Sequence, residues 1–154
     1  IIAWFACPLT ADDERIHGCK TGGSEGQPIW ESLCLLVALK LWLPAWVDKK
    51  VNISIKSDNM AALSLAAKMN SNVSSLIAKE VALIISKAAF QPRLIIHVPG
   101  VMNFSADSLS RLEDPDGDYS VPAYMLPSLR TSTSPRTEHF YRTLRPNEPL
   151  EGAR

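Results

Sequence analysis

Two short apolar segments, separated by a stretch with helical spacing, constrain the fold of this chain more than any other feature. Residues 51–56 alternate between apolar and polar side chains, which is the period-two pattern of a β-strand. Residues 94–98 form an apolar run that only His97 interrupts, as in an interior strand covered on both faces. Residues 73–88 between them carry apolar side chains along one helix face. This order predicts an α/β fold.

The remaining apolar segments extend the same alternation. Apolar side chains lie nearly all round the segment after Pro28, which predicts a helix buried on several sides that ends at Pro44. The patterns also predict a strand over 1–7, a short helix over 60–69 and a last helix from Asn103 or Ser105 to Leu112.

Residues 8–27 collect glycines and charged side chains, so they are predicted to form a loop. Within that loop, Asp12, Asp13 and Glu14 are expected to be a solvated surface run. His97 is expected to be packed inside its strand and to take no part in catalysis.

Length and composition exclude several classes of protein. The 154 residues suffice for one ordinary domain, and 16 basic against 16 acidic residues do not support a protein that coats nucleic acid. Three scattered cysteines favour a reduced compartment, so we expect an intracellular protein, cytoplasmic or nuclear. The apolar residues 29–43 are too few for the ~20 that cross a bilayer, so no membrane span is expected.

Composition changes near Arg111, which divides the chain into two predicted parts. Residues 113–154 carry six of the 11 prolines and little apolar periodicity. They are predicted to be a disordered linker without chemistry, whereas residues 1–112 form the folded body. The sequence starts at Ile1 and not at methionine, so we expect it to be a fragment of a longer protein.

Three carboxylates stand where predicted strands end or predicted helices begin. These are Glu31, Asp58 and Asp107. Each alone is explained by helix capping or by the helix dipole. If the three converge, their hard oxygen ligands suit Mg²⁺ or Mn²⁺, and two such ions support phosphoryl-transfer chemistry.

Three segments together resemble the ribonuclease H domain of retroelement reverse transcriptases. They are Trp30-Glu31 at the start of the apolar helix, Ile55-Lys56-Ser57-Asp58-Asn59 with Ala61-Ala62-Leu63, and His97-Val98-Pro99-Gly100, Asn103 and Ala106-Asp107-Ser108-Leu109-Ser110-Arg111-Leu112. The last segment is the most specific and is similar to that of long-terminal-repeat and tyrosine-recombinase elements.

The resemblance covers residues 1–112 and implies a ribonuclease H-like mixed sheet with flanking helices. It implies cleavage of the RNA strand of an RNA–DNA hybrid, with Glu31, Asp58 and Asp107 as catalytic metal ligands for two Mg²⁺ or Mn²⁺ ions. Asn59 would contact the substrate. The reverse transcriptase domain of the same polyprotein would be a partner. The family's first aspartate has no counterpart here, so the first two strands of the sheet are expected to be missing.

Two other interpretations stay open on the sequence. The chain can be a catalytically inactive remnant or structural tether that keeps the same fold, which the missing aspartate supports. It can also be an unrelated small α/β binding protein whose acidic residues serve only as helix caps.

Overall fold

The computed structural model describes residues 2–49, 52–60, 62–64, 75–88, 91–114 and 116–145. Helices and strands alternate along the chain. They are α1 (Ala11–His17), α2 (Gln27–Trp42), β1 (Asn52–Ser57), α3 (Ser75–Ala88), β2 (Gln91–His97) and α4 (Phe104–Ser110). The described residues thus form a mixed helix and strand protein, as the α/β pattern predicts.

The two strands are parallel neighbours in one sheet. Ile55 of β1 lies beside Ile95 of β2, and Ser57 lies beside His97, where both strands end. Helix α3 connects the strands, because two parallel neighbours need a crossover connection. The sheet has two strands among the residues described here. His97, the last residue of β2, is exposed, which corrects the expectation that it is packed inside its strand.

Helices α2 and α3 pack against each other and build the core. Helix α2 begins after Gly26 with Pro28 in its first turn, and it buries a broad face. Helix α3 buries a stripe at helical spacing that includes Ile77, Val81 and Ile84. The two helices were predicted from apolar spacing and proline positions, and both are present.

The segment Gln27–Ala45 is long and apolar enough to cross a membrane by length and composition alone. A core helix passes the same test, and Leu33, Leu36 and Val37 are buried within this body. The segment is therefore weak evidence for a membrane span.

The start of the chain differs from its prediction at two places. The predicted strand over 1–7 is represented within residues 2–7 by a single β-bridge, from Trp4 to Arg130. Residues 8–27 contain α1, which the loop prediction missed. Thr10 and Asp13 form a reciprocal capping box at its start, and Gly18 ends it with φ +68°.

The predicted short helix over 60–69 is described only in part. Residues 62–64 are helical, whereas residues 65–74 lie outside the described part of the chain. The last helix is present as α4, with Asn103 at its N-cap position.

The proline-rich segment differs most from the expectation of disorder. Trp4 donates backbone and indole hydrogen bonds to Leu129 and Leu126, and Tyr141 is fully buried. Residues 116–145 therefore pack on the body, because a few large side chains bury enough surface without any periodic pattern. Residues 146–154 of the predicted linker lie outside the described part of the chain.

Asp13 is fully buried, which corrects the expectation of a solvated surface run. Its carboxylate accepts hydrogen bonds from Arg136 of the proline-rich segment. A buried carboxylate requires such a partner, and the sequence pattern did not show one 123 residues away.

A side chain at Gly26 would collide with a buried side chain. A Cβ atom there would lie 2.7 Å from the indole nitrogen of Trp30, which is buried. We expect Gly26→Ala to lower the free energy of unfolding by about 1–3 kcal/mol, because a buried indole must shift. Urea unfolding measures this loss. Gly23→Ala is the matched control, since its Cβ would lie 3.5 Å from the Lys20 carbonyl oxygen, and an equal loss in both variants would contradict the explanation.

Candidate functional site

The ends of the two parallel strands bring Asp58 and the start of α4 together. The Val98 amide donates to the Ser57 carbonyl oxygen at 2.9 Å, which keeps the chains side by side past the sheet. The Asn103 side-chain amide then donates to Asp58 Oδ1 at 3.0 Å. A Cβ on Gly100 would lie 3.4 Å from Asp58 Oδ2, so the turn passes close to the carboxylate.

Ligand sites in open α/β sheets gather outside the carboxyl ends of parallel strands. Asp58 occupies that position, and its side chain is exposed to solvent. Two of the three sequence segments that were singled out therefore meet at one edge. Asn103 was predicted as a helix cap, but its side chain makes no capping bond and binds Asp58 instead.

Asn59 follows Asp58 and has a clear local role. Its Oδ1 atom accepts a hydrogen bond from the backbone amide of Ala62 at 3.0 Å, and the backbone amide of Asn59 donates to Ser57 Oγ. The side-chain oxygen thus satisfies a backbone donor of the helical residues that follow. The substrate contact expected of Asn59 stays a prediction.

Asp107 lies in the first turn of α4 and pairs with Arg111, the residue that follows the helix. Arg111 Nε lies 2.9 Å from Asp107 Oδ1, in an exposed pair one turn apart. The Tyr119 ring lies 5.5 Å from the Arg111 guanidinium carbon, and its hydroxyl accepts a 3.4 Å contact from Arg111. One oxygen of the candidate ligand is therefore already engaged.

Glu31 lies one turn inside α2, because the helix begins at Gln27. The sequence predicted a carboxylate at the start of this helix, so the helix begins earlier than expected. Gln27 donates its side-chain amide to Glu31 Oε1 at 3.0 Å. Glu31 is half-buried, whereas Asp58 is exposed.

The three carboxylates do not form a metal-binding group in the part of the chain that the structure describes. No three side chains of His, Cys, Asp or Glu come together there as ligands. Asp58 and Asp107 each offer hard oxygens, but each accepts a hydrogen bond from a neighbouring side chain. The described residues alone therefore do not complete a Mg²⁺ site.

Exposed apolar residues follow both strand ends, which the sequence reasoning missed. Met60 is 62% exposed after β1, and Val101 is 92% exposed after β2. Met102 and Phe104 are also exposed. Exposed apolar side chains in one stretch are typical of interaction surfaces. The signal in the sequence is Val101-Met102 inside a turn, where polar residues are the norm.

Comparison with known proteins adds no relative: the chain matches no family model, no curated protein and no solved structure.

Proposed function

We propose that this chain is most of a retroelement ribonuclease H-like domain that, when complete, hydrolyses the RNA strand of RNA–DNA hybrids. The observation that carries the proposal is the contact between Asp58 and Asn103 at the ends of β1 and β2. Those residues belong to two of the three resembling segments and are 45 residues apart in sequence. Their contact at the sheet edge supports the proposal, because ligand sites gather at the carboxyl ends of parallel strands.

Each candidate residue has its own role in the proposed reaction. Asp58, Asp107 and Glu31 act as catalytic metal ligands. Asn103 holds the Asp58 carboxylate by donating to it, and Asn59 lies at the substrate side. Mg²⁺ or Mn²⁺, when bound, would supply Lewis-acid stabilisation of a phosphodiester and a water of lowered pKa. Nothing in the 154 residues matches the family's first aspartate, so the proposal expects the metal site to need a further carboxylate.

We further propose that the chain acts inside the cell with an RNA–DNA hybrid and a reverse transcriptase domain as its partners. A ribonuclease of this type acts inside the cell, on a hybrid made by the reverse transcriptase domain of the same polyprotein. The exposed apolar residues Met60, Val101 and Phe104 lie next to the candidate site in sequence, and they offer a contact surface for either partner.

A second candidate is a catalytically inactive structural module with the same fold. The observation that favours it is the engagement of Asp107 by Arg111 and of Glu31 by Gln27. Carboxylates that are already paired serve stability, and no reaction is then required of them.

Cleavage of a labelled RNA–DNA hybrid separates the two candidates. The chain is extended upstream with its natural coding segment and assayed with Mg²⁺ or Mn²⁺. We expect cleavage that Asp58→Asn lowers by at least about 100-fold, because the substitution removes a metal ligand. Asp48→Asn removes an exposed carboxylate in the turn after α2 and should leave the rate unchanged.

Circular dichroism shows whether each chain is folded. A folded extended chain that cleaves no hybrid would contradict the enzyme and favour the structural module. Equal rates in Asp58→Asn and the unaltered chain would remove Asp58 from the site.

A further inference from the structure

Residues 130–145 form a strap that crosses the body and contacts it at several places. The Thr131 amide donates to the Trp4 carbonyl oxygen at 2.8 Å, near the start of the strap. Arg136 then reaches α1, and Thr143 reaches α3. The strap therefore connects elements that are far apart in sequence.

The first anchor is the buried ion pair between Arg136 and Asp13. Arg136 Nε lies 2.9 Å from Asp13 Oδ1, and Nη2 lies 2.7 Å from Oδ2, so the guanidinium and the carboxylate form a bidentate ion pair. Arg136 Nη2 also donates to the Pro8 carbonyl oxygen, and Nη1 contacts Cys7 Sγ at 3.0 Å. The two charged side chains are 4% and 0% exposed.

The second anchor is the buried carboxylate of Glu80 on α3. The Thr143 amide donates to Glu80 Oε1 at 2.6 Å, and Lys40 Nζ of α2 lies 2.7 Å from Oε2. Lys40 also donates to the carbonyl oxygen of Phe140 in the strap. Lys40 thus links the strap and Glu80 in one network.

Tyr141 lies between the two anchors and is fully buried. Its hydroxyl is 2.9 Å from His17 Nε2, and its ring packs edge-on against His17 at 5.6 Å. The strap therefore inserts a large aromatic side chain among α1, α2 and α3, where Trp30 also contacts His17.

The short spacing between these contacts means that one anchor cannot open without the other. Arg136 and Thr143 are seven residues apart, and two 3₁₀ turns, Glu138–Phe140 and Arg142–Leu144, occupy the interval. A chain this short cannot leave one anchor by several ångströms without pulling on Tyr141. Partial opening then loses most of the burial, but it releases only part of the backbone entropy.

We propose that the strap opens and closes as a single unit, locked by Arg136 at α1 and by the Glu80 network at α3. This makes the strap a conformational lock on the body. Since α3 joins β1 to β2, the state of the strap bears on the helix that connects the two strands of the candidate site. The proposal does not depend on the ribonuclease function.

Native-state hydrogen exchange of the full chain tests the lock. The amides of Thr131 and Thr143 report on opposite ends of the strap, because each donates to a body oxygen. Arg136→Gln weakens the first anchor and should speed exchange of both amides by the same factor, at least about tenfold. Lys40→Met weakens the second anchor and should also speed both amides equally.

Control variants and a core reporter make the result decisive. Lys20→Met removes a lysine from an exposed pair with Glu14 outside the strap and should change neither amide. Faster exchange only near the substituted anchor would overturn the proposal. Equal protection of the Leu36 amide, in the core of α2, and the two strap amides in the unaltered chain would also overturn it, because the strap would then open only with global unfolding. If Arg136→Gln does not fold, Arg136→Lys gives the same readout, since it keeps the charge and loses the fork.

Discussion

Replacing Arg136 by glutamine should lower the free energy of unfolding by about 3–5 kcal/mol, the largest loss expected from any single charge in this chain. The guanidinium makes a double contact with Asp13, and both side chains are buried. Removing it leaves a buried carboxylate without its counter-ion, and the desolvation cost of that charge is no longer offset. Urea unfolding at neutral pH, followed by circular dichroism, measures the loss.

A matched surface variant isolates the effect of burial. Arg15 pairs with Asp12 and Glu138 at similar distances, but its side chain is 57% exposed. Arg15→Gln should therefore cost far less stability than Arg136→Gln, because solvent screens the exposed pair. Equal losses in the two variants would show that burial of the Arg136 pair does not set its strength.

A double replacement separates the pair from its environment. Asp13→Leu combined with Arg136→Met removes both charges and keeps apolar volume in the site. We expect this chain to recover a large part of the stability that Arg136→Gln loses. A double variant as unstable as the single one would mean that the hydrogen bonds of Arg136 to Pro8 and Cys7 carry most of the effect.

The parts of the fold that the sequence predicted are those with a repeated local pattern. Helix α2 follows from apolar residues bounded by Pro28 and Pro44, and β1 follows from strict alternation. Helix α1 was missed although Thr10 and Asp13 carry a capping box, because glycines and charges around it outweighed that short signal. A short capping signal was not enough to identify this helix among residues that are typical of loops.

The packing of the proline-rich segment could not be predicted for a different reason. Arg136 and Tyr141 dock as single side chains, and their partners Asp13 and His17 are more than 120 residues away. No periodicity marks such a contact, because one buried ion pair and one buried ring suffice for it. Proline content indicated the lack of regular structure, and it does not indicate a lack of order.

The candidate site shows the same division. Asp58 was predicted from its place at a strand end, and the structure puts it at the end of β1. Its bond with Asn103 depends on the parallel register of two strands, which spacing alone does not determine. The convergence of Glu31, Asp58 and Asp107 as metal ligands stays a prediction, since the described residues do not group them.

Acidification should lower the stability of this chain in two stages, because the half-buried His17 and the buried carboxylates of Asp13 and Glu80 bind protons more readily in the unfolded chain. Burial lowers the pKa of His17 below its ordinary value of 6.5, and the opposing effect of Asp13 is smaller. The unfolded chain therefore binds a proton there first. Stability from neutral His17 is full above about pH 6.5 and falls as the pH drops toward the lowered pKa.

The carboxylates of the strap anchors titrate in the second stage. Burial alone would raise the pKa of Asp13, but hydrogen bonds from Arg136 and Thr10 outweigh it and hold the pKa below the ordinary 3.8. Burial opposes Lys40 and the Thr143 amide at Glu80 in the same way, and the pKa of Glu80 lies below 4.5. Their stabilisation is full above those ordinary values and is lost as the pH falls through the lowered pKa of each group.

The expected result is a decline in stability from about pH 6.5 and a steeper loss below about pH 4.5, ending in complete unfolding. The buried Arg136–Asp13 pair, worth about 3–5 kcal/mol when broken, is a large share of the ~5–15 kcal/mol that holds a small domain together, and the pair of Lys40 with the buried Glu80 adds to it. Thermal unfolding at a series of pH values measures both stages. His17→Gln keeps a polar partner for Tyr141 and removes the titration, so it should abolish only the first decline. If the first decline persists in that variant, another group causes it, because the substituted side chain no longer binds a proton in this range.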